Sequence, residues 1–329
     1  MNYGLQYYMS KAFDKESPLK LENALNLALK SHLTALSSRH SLGSAYEYAV
    51  LPAGKLFRPK LVWNLAMDLG QTIPQSGFAH SPFTLLASAI EIHHAYTLVH
   101  DDLPCMDNDI ERRGKPTVHI QYNDWVAVLT GDGLLNMSYQ LLSKITHPHT
   151  LQLISLFAHA TGPKGLIEGQ MLDLNQDMTK SLENLIRTHE LKTARLIQIS
   201  LVGAALLSNQ PYQKLKAYAR FGKNLGILFQ LLDDLAELSS VETTPHENDV
   251  NPFIKYFDRT YPILEKSLAN NSAFFQNNSL PHLQNMVEEY LGKMQQLVFS
   301  NEINVRKHIG IESNSSQWLA LISLQKKYF

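Results

Sequence analysis

Apolar residues recur three and four positions apart through runs of about 15–25 residues, and the chain's 16 glycines and 14 prolines are too sparse to interrupt them. That is the period of a helix. The segments 21–35, 54–69, 82–99, 125–142, 151–158, 182–207, 215–238, 280–297 and 315–324 all read as helices. No run of four to eight alternating residues bounded by a hairpin turn competes with them, so the expected fold class is all-α. Breakers cluster at 71–77, 114–116, 146–149, 161–165 and 239–252. Each has the length of a loop rather than of an interdomain linker, so residues 1–329 are read as a single domain.

Charge and cysteine usage narrow the function. Lys+Arg 29 against Asp+Glu 30 leave a net charge of −1, so there is no basic field to gather nucleic acid or an anionic membrane, and any bound anion must be held locally. The single cysteine, Cys105, excludes an internal disulfide and a cysteine-based zinc site and fits a cytoplasmic setting. The first residues show no basic stretch followed by an apolar one, so no secretion signal is expected. The longest uncharged stretch, 196–213, is interrupted by Gln198, Ser200, Ser208, Asn209 and Gln210 and reads as a buried helix, not a transmembrane segment.

The chemistry lies in two carboxylate clusters. His100-Asp101-Asp102-Leu103-Pro104-Cys105-Met106-Asp107-Asn108-Asp109 closes one apolar run, and Gln230-Leu231-Leu232-Asp233-Asp234-Leu235-Ala236-Glu237 closes another. Asp233 and Glu237, four apart, share a helical face. Pro104 and the wider gap from Asp102 to Asp107 call for a local break that lets Asp107 rejoin Asp101. Adjacent carboxylates against apolar surroundings repel and raise one another's pKa unless cations relieve them. Mg²⁺ suits this, because it takes a few carboxylates and fills its remaining positions with water and phosphate oxygens. Zinc does not: His93 and His94 are adjacent and point to different sides of a helix, so with His100 they make no three-histidine site. Cys105 has no evident base partner and is no candidate nucleophile.

Cations stand where phosphates need them. Gly54-Lys55-Leu56-Phe57-Arg58-Pro59 supplies a lysine and an arginine three apart, and Glu111-Arg112-Arg113-Gly114-Lys115 puts two guanidiniums directly after the first acidic cluster. Guanidinium forks match phosphate oxygens bidentately, while lysine acts as a movable point charge.

Taken in order, GKLFRP (54–59), HHAYTLVHDDLPCMDNDIERRGKPTVH (93–119), TGD (130–132), EGQMLDL (168–174), LKTARL (191–196), FQLLDDLAE (229–237) and RTYP (259–262) resemble the head-to-tail trans-polyprenyl diphosphate synthases, and among them the bacterial farnesyl diphosphate synthases, or geranyltranstransferases. The resemblance spans nearly the whole chain. It implies an isoprenoid-synthase helical bundle around a central cavity, a homodimer, and condensation of isopentenyl diphosphate with an allylic diphosphate. It also implies three Mg²⁺ ions. By motif, Asp101, Asp102 and Asp107 hold Mg²⁺ at the allylic diphosphate, and Asp233, Asp234 and Glu237 hold a further ion across the cavity. Arg112, Lys192, Thr193 and Gln230 match the allylic site, with Gln170 and Asp173 in the surrounding shell. Gly54, Lys55, Arg58, His94 and Arg113 match the isopentenyl diphosphate pocket. Tyr96, five residues before Asp101, is placed as the floor that sets product length.

The second half departs from the pattern. Glu237 stands for the usual third aspartate, 238–251 contains no lysine or arginine, and Asp258 occupies the place of a lysine before Thr260-Tyr261-Pro262, leaving Lys255 or Arg259 as substitutes. Alternatives to a C15-forming enzyme are therefore a C20-forming geranylgeranyl diphosphate synthase and a weakly active or non-catalytic homologue serving as a partner subunit. A terpene cyclase has no use for a pocket like that of Lys55, Arg58 and Arg113.

Overall fold

The computed structural model describes residues 18–37, 41–74, 76–242 and 245–328. Its helices are α1 (Pro18–Leu36), α2 (Ser41–Val50), α3 (Phe57–Asp68), α4 (Pro82–Asp101), α5 (Asp124–Ser143), α6 (Thr150–Thr161), α7 (Leu166–Leu174), α8 (Leu182–Thr188), α9 (Arg195–Leu207), α10 (Tyr212–Glu237), α11 (Phe257–Gln276), α12 (Pro281–Ser300), α13 (Glu302–Ile309) and α14 (Ser316–Tyr328). The strands among the described residues are β1 (Glu111–Arg112) and β2 (Lys115–Pro116), an antiparallel ribbon two residues long, so the fold is all-α as expected. None of the described helices is long and apolar enough to cross a membrane.

The described residues fall into two compact units, one built from the chain up to Phe157 with Ser200–Pro211, the other from Ala158–Ile199 with the chain from Tyr212 onward. In the first, α4 is the central element. Proline at its first position is preorganised for a helix start, and its sequence is apolar on every side, so residues from Phe83 to Val99 are buried around its circumference against α3 and α5. In the second, α10 is the long amphipathic helix, packed against α11, α12 and the segment His189–Ala194.

The expected helix at 182–207 is real but not uniform. His189–Ala194 winds as a π-helix between α8 and α9, a local overwidening that tends to sit at functional sites. A Cβ on Gly226 of α10 would come within 2.3 Å of the Ala194 Cβ, and one on Gly169 of α7 within 2.5 Å of the Lys192 backbone nitrogen. The two glycines let α10 and α7 close on this π-helical segment from either side.

Four helices, α2, α7, α11 and α13, were not expected from periodicity. Part of 239–252, read as a loop, is also helical, over Pro245–Val250, and a further turn forms at Pro252–Lys255. The misreading has a cause: Pro252 and Pro262 were weighed as breakers. Pro252 opens a turn whose amide at Phe253 is capped by Asn251 Oδ1 at 3.0 Å, and Pro262 lies inside α11.

Candidate active site

Helix α4 stops where the acidic cluster starts. Past Asp101 the chain turns through Leu103–Met106 and returns, so that the Asp107 N–H donates to the Asp101 carbonyl at 2.9 Å, which is the closure that the Asp102–Asp107 spacing required. Asp102 is buried, Asp101 half-buried and Asp107 exposed. Burial raises the Asp102 carboxyl to about 6 against the opposing pull of Arg112. Arg112 donates through Nε to Asp102 Oδ1 at 2.6 Å and through Nη2 to Asp109 Oδ2 at 2.8 Å. Asp109, which the motif reading passed over, is thus the second anchor of this guanidinium.

The neighbouring cations are also held from within the first unit. Arg113 takes a left-handed backbone at the ribbon turn, φ 55°, and its guanidinium lies so close over Gly54 that a Cβ there would meet Arg113 Cζ at 2.8 Å. Arg58 and Arg113 bear on two groups of α4. One is Glu91, 5% exposed, whose carboxyl is raised by burial and drawn back by the two arginines. The other is His94, held well below the usual imidazole range by burial and then by Arg58, Arg113 and Arg112, and therefore neutral. Glu91 was missed by motif reading; its signal was a lone acid between Ile90 and Ile92. Lys115 anchors the ribbon by donating to the carbonyls of Tyr48 at 2.5 Å and Leu51 at 3.2 Å. Lys55 is exposed.

Tyr96, one and a half turns back along α4, is 8% exposed. Its ring meets His93 edge-on at 4.6 Å and His100 at 5.6 Å.

In the second unit, the π-helical turn presents Lys192 and Thr193. Lys192 Nζ donates to Asp173 Oδ2 at 2.5 Å, and Thr193 Oγ1 to Gln230 Oε1 at 3.0 Å. Gln230 Nε2 continues the chain to Asp234 Oδ1 at 3.1 Å, while Asn251 Nδ2 donates to the Asp234 carbonyl at 2.6 Å. Asp234 is 6% exposed, and its carboxyl is pushed well up by burial, opposed by the Gln230 hydrogen bond. His189 Nε2 stands 3.7 Å from Asp234 Oδ2. Asp233 is half-buried and Glu237 exposed, and Gln170 is half-buried one turn before Asp173. The two substitute cations are engaged elsewhere: Lys255 pairs with Asp249 at 3.4 Å and Arg259 with Glu183.

Among the described residues no three His, Cys, Asp or Glu side chains gather into a ready-made metal group. The donors at Asp101, Asp102 and Asp107 are all carboxylate oxygens on one closed turn. Such a set suits Mg²⁺, which takes few protein ligands and leaves positions for water and phosphate.

The sequence profile of the Polyprenyl synthetase family matches residues 39–265. The chain belongs to this family. Two curated relatives illustrate its range: the farnesyl diphosphate synthase of Geobacillus stearothermophilus is 34% identical over 227 residues, covering 67% of this chain and 74% of its own. The geranylgeranyl diphosphate synthase of Pantoea ananas is 34% identical over 203 residues, covering 60% and 66%. Among solved structures, the geranyltransferase of Helicobacter pylori, complexed with magnesium and isoprenyl diphosphate, is similar with a TM-score of 0.68 and 31% identity, over 88% of this chain and all of that one. The family is one of short-chain trans-prenyltransferases, and the chain is a prenyltransferase.

Proposed function

We propose that the protein is a farnesyl diphosphate synthase, condensing isopentenyl diphosphate with dimethylallyl or geranyl diphosphate. One observation carries the reading: Gly54, Arg58, His94 and Arg113 form a cationic group beside the turn that bears Asp101, Asp102 and Asp107, all within one compact unit. A site for a second diphosphate next to a site for a metal-bound one is what a condensation of two diphosphates requires. The family match runs through both units, which supports treating residues 1–329 as one catalytic domain.

Mg²⁺, when bound, would neutralise the allylic diphosphate as a leaving group and lower the barrier to ionisation. Asp101, Asp102 and Asp107 would hold it in the first unit, and Asp233 with Glu237 and Asp234 in the second; a count of three ions is part of this reading. Arg112 exchanges its carboxylate partners for phosphate oxygens, and Lys192 does the same with Asp173. Thr193 and Gln230 orient the allylic group. Arg58, Arg113 and Lys55 bind the diphosphate of isopentenyl diphosphate, with neutral His94 donating one N–H. The C–O bond breaks with both electrons on the diphosphate. The double bond of isopentenyl diphosphate then attacks the allylic cation, and the departing diphosphate takes the proton.

Tyr96 supports a C15 product. It lies about 7–8 Å along α4 from Asp101, the direction in which a chain anchored at the metal site grows. The Pantoea relative keeps a C20 product as the second reading. A homodimer belongs to the same proposal and is supported by the exposed apolar face of α5 at Trp125, Val128 and Leu129. Exposed, unpaired Cys105 supports a cytoplasmic setting.

Purified protein with Mg²⁺, labelled isopentenyl diphosphate and geranyl diphosphate tests the function, with products sized by chromatography. A C15 product is expected. A C20 product would move the assignment to the second reading, and no incorporation would leave a non-catalytic homologue.

A further inference from the structure

The second unit holds another cavity, lined by none of the groups assigned above. It has a volume of about 560 Å³ and is walled by α11, α12 and the end of α14. That volume falls in the range of small-molecule sites. Two amides lie deep in its wall. Asn271 on α11 is 7% exposed, and its Oδ1 finds no hydrogen-bond partner among the described residues. Gln295 on α12 is 9% exposed. A buried acceptor without a partner is rare in folded proteins and calls for an occupant that supplies a donor.

The formal charges in the wall do not ask for an ion. Glu288 accepts from Gln284 Nε2 at 2.8 Å. Lys327 stands 3.7 Å from Glu265 and 4.9 Å from the Tyr328 ring centre. The two charges are opposite in sign and each has a protein neighbour. Phe275 and Leu291 add an apolar wall, and a Cβ on Gly292 would meet nothing within 4 Å, so the cavity is open at that point.

We infer that this cavity binds a planar, uncharged molecule whose edge carries an N–H donor beside an acceptor, of the carboxamide or purine class, with Asn271 Oδ1 accepting the N–H. Asparagine and glutamine amides present the matching donor and acceptor pair, the same complementarity by which they read an adenine edge. Phe275 and Leu291 offer contact to the flat face.

The test titrates the full chain calorimetrically with adenosine, nicotinamide and D-ribose in turn, with and without excess Mg²⁺ and inorganic diphosphate. Saturable binding of adenosine or nicotinamide, undisturbed by diphosphate, is expected, and which of the two binds separates the purine source from the carboxamide. Asn271→Leu should weaken it by about tenfold, the worth of one buried hydrogen bond. Gly292→Leu fills the open side and should abolish it. Both variants are expected to fold: Asn271→Leu removes an orphaned polar atom, and Gly292→Leu raises helix propensity where nothing is struck. The inference is overturned if neither ring compound binds, if ribose binds as well as they do, if diphosphate displaces them, or if either variant, folded by its thermal melt, binds like the wild type.

Discussion

Arg112 Nε lies 2.6 Å from Asp102 Oδ1, so a guanidinium that matches the allylic diphosphate site rests, before substrate arrives, on a carboxylate of the metal cluster. The pair is electrostatically poised. Burial raises the Asp102 carboxyl to about 6, and Arg112 opposes that rise. Above this pH the carboxylate is ionised and available to a cation; as pH falls through about 6 it takes a proton and loses that capacity. Mg²⁺ affinity of the substrate-free protein should therefore fall with an apparent midpoint near pH 6, and Arg112→Gln should move the midpoint upward. Calorimetric titration between pH 5 and pH 8 checks this. A midpoint in the ordinary aspartate range, unmoved by the substitution, would contradict it.

Product length should depend on Tyr96. Its ring is held edge-on by His93 and His100, so Tyr96→Ala removes a positioned floor rather than a loose side chain. The expected outcome is a shift from C15 toward C20 and longer products at similar total incorporation. If the folded variant still stops at C15, other residues make the floor.

Gly226→Ala places a methyl 2.3 Å from the Ala194 Cβ and 2.4 Å from its Cα, both inside the π-helical segment that carries Lys192 and Thr193. Because the clash involves backbone, the segment must move. A loss of about 1–3 kcal/mol in stability is expected, the usual range for overpacking. The KM for the allylic substrate should rise more than that for isopentenyl diphosphate. Equal effects on the two would show that the segment does not serve the allylic site.

Three buried histidines make the fold acid-sensitive. Burial lowers His32 to about 4 and His93 and His189 to about 3. Each stays neutral in the folded chain, yet on unfolding regains a pKa of 6.5. The unfolded state therefore binds more protons below that value, and stability must fall as pH drops from 6.5 toward 4. Each histidine contributes a slope of about 1.4 kcal/mol per pH unit in that window. Urea midpoints should be flat above the window and fall steeply within it. His32→Gln, able to keep a donor to the Ala79 carbonyl, should flatten the fall.

Much of this was legible in the sequence because the signals were local. The three-and-four spacing of apolar residues gave α4 and α10, and the Asp102–Asp107 interval with Pro104 implied the turn that returns Asp107 to Asp101. What escaped notice depends on contacts distant in sequence. Glu91 matters because Arg58 and Arg113 reach it from other elements, and Asn251 because its amide meets the Asp234 carbonyl. The π-helical turn at His189–Ala194 has no periodic signature; glycines on two other helices make room for it. Prolines misled the reading at 252 and 262, since a proline early in a helix is tolerated as readily as one after its end.

The central claim is that the carboxylates at the end of α4 hold the metal that lets diphosphate depart. Asp101→Asn and Asp102→Asn keep the size of the side chains and remove their charge. Single-turnover condensation of geranyl with isopentenyl diphosphate at saturating Mg²⁺ measures the consequence most directly. The expected result is a fall of at least about a thousandfold in each variant, roughly 4 kcal/mol of transition-state stabilisation, with EDTA abolishing turnover of the wild type. A loss of less than about tenfold in both folded variants, under 1.4 kcal/mol, would contradict metal-assisted ionisation at this site.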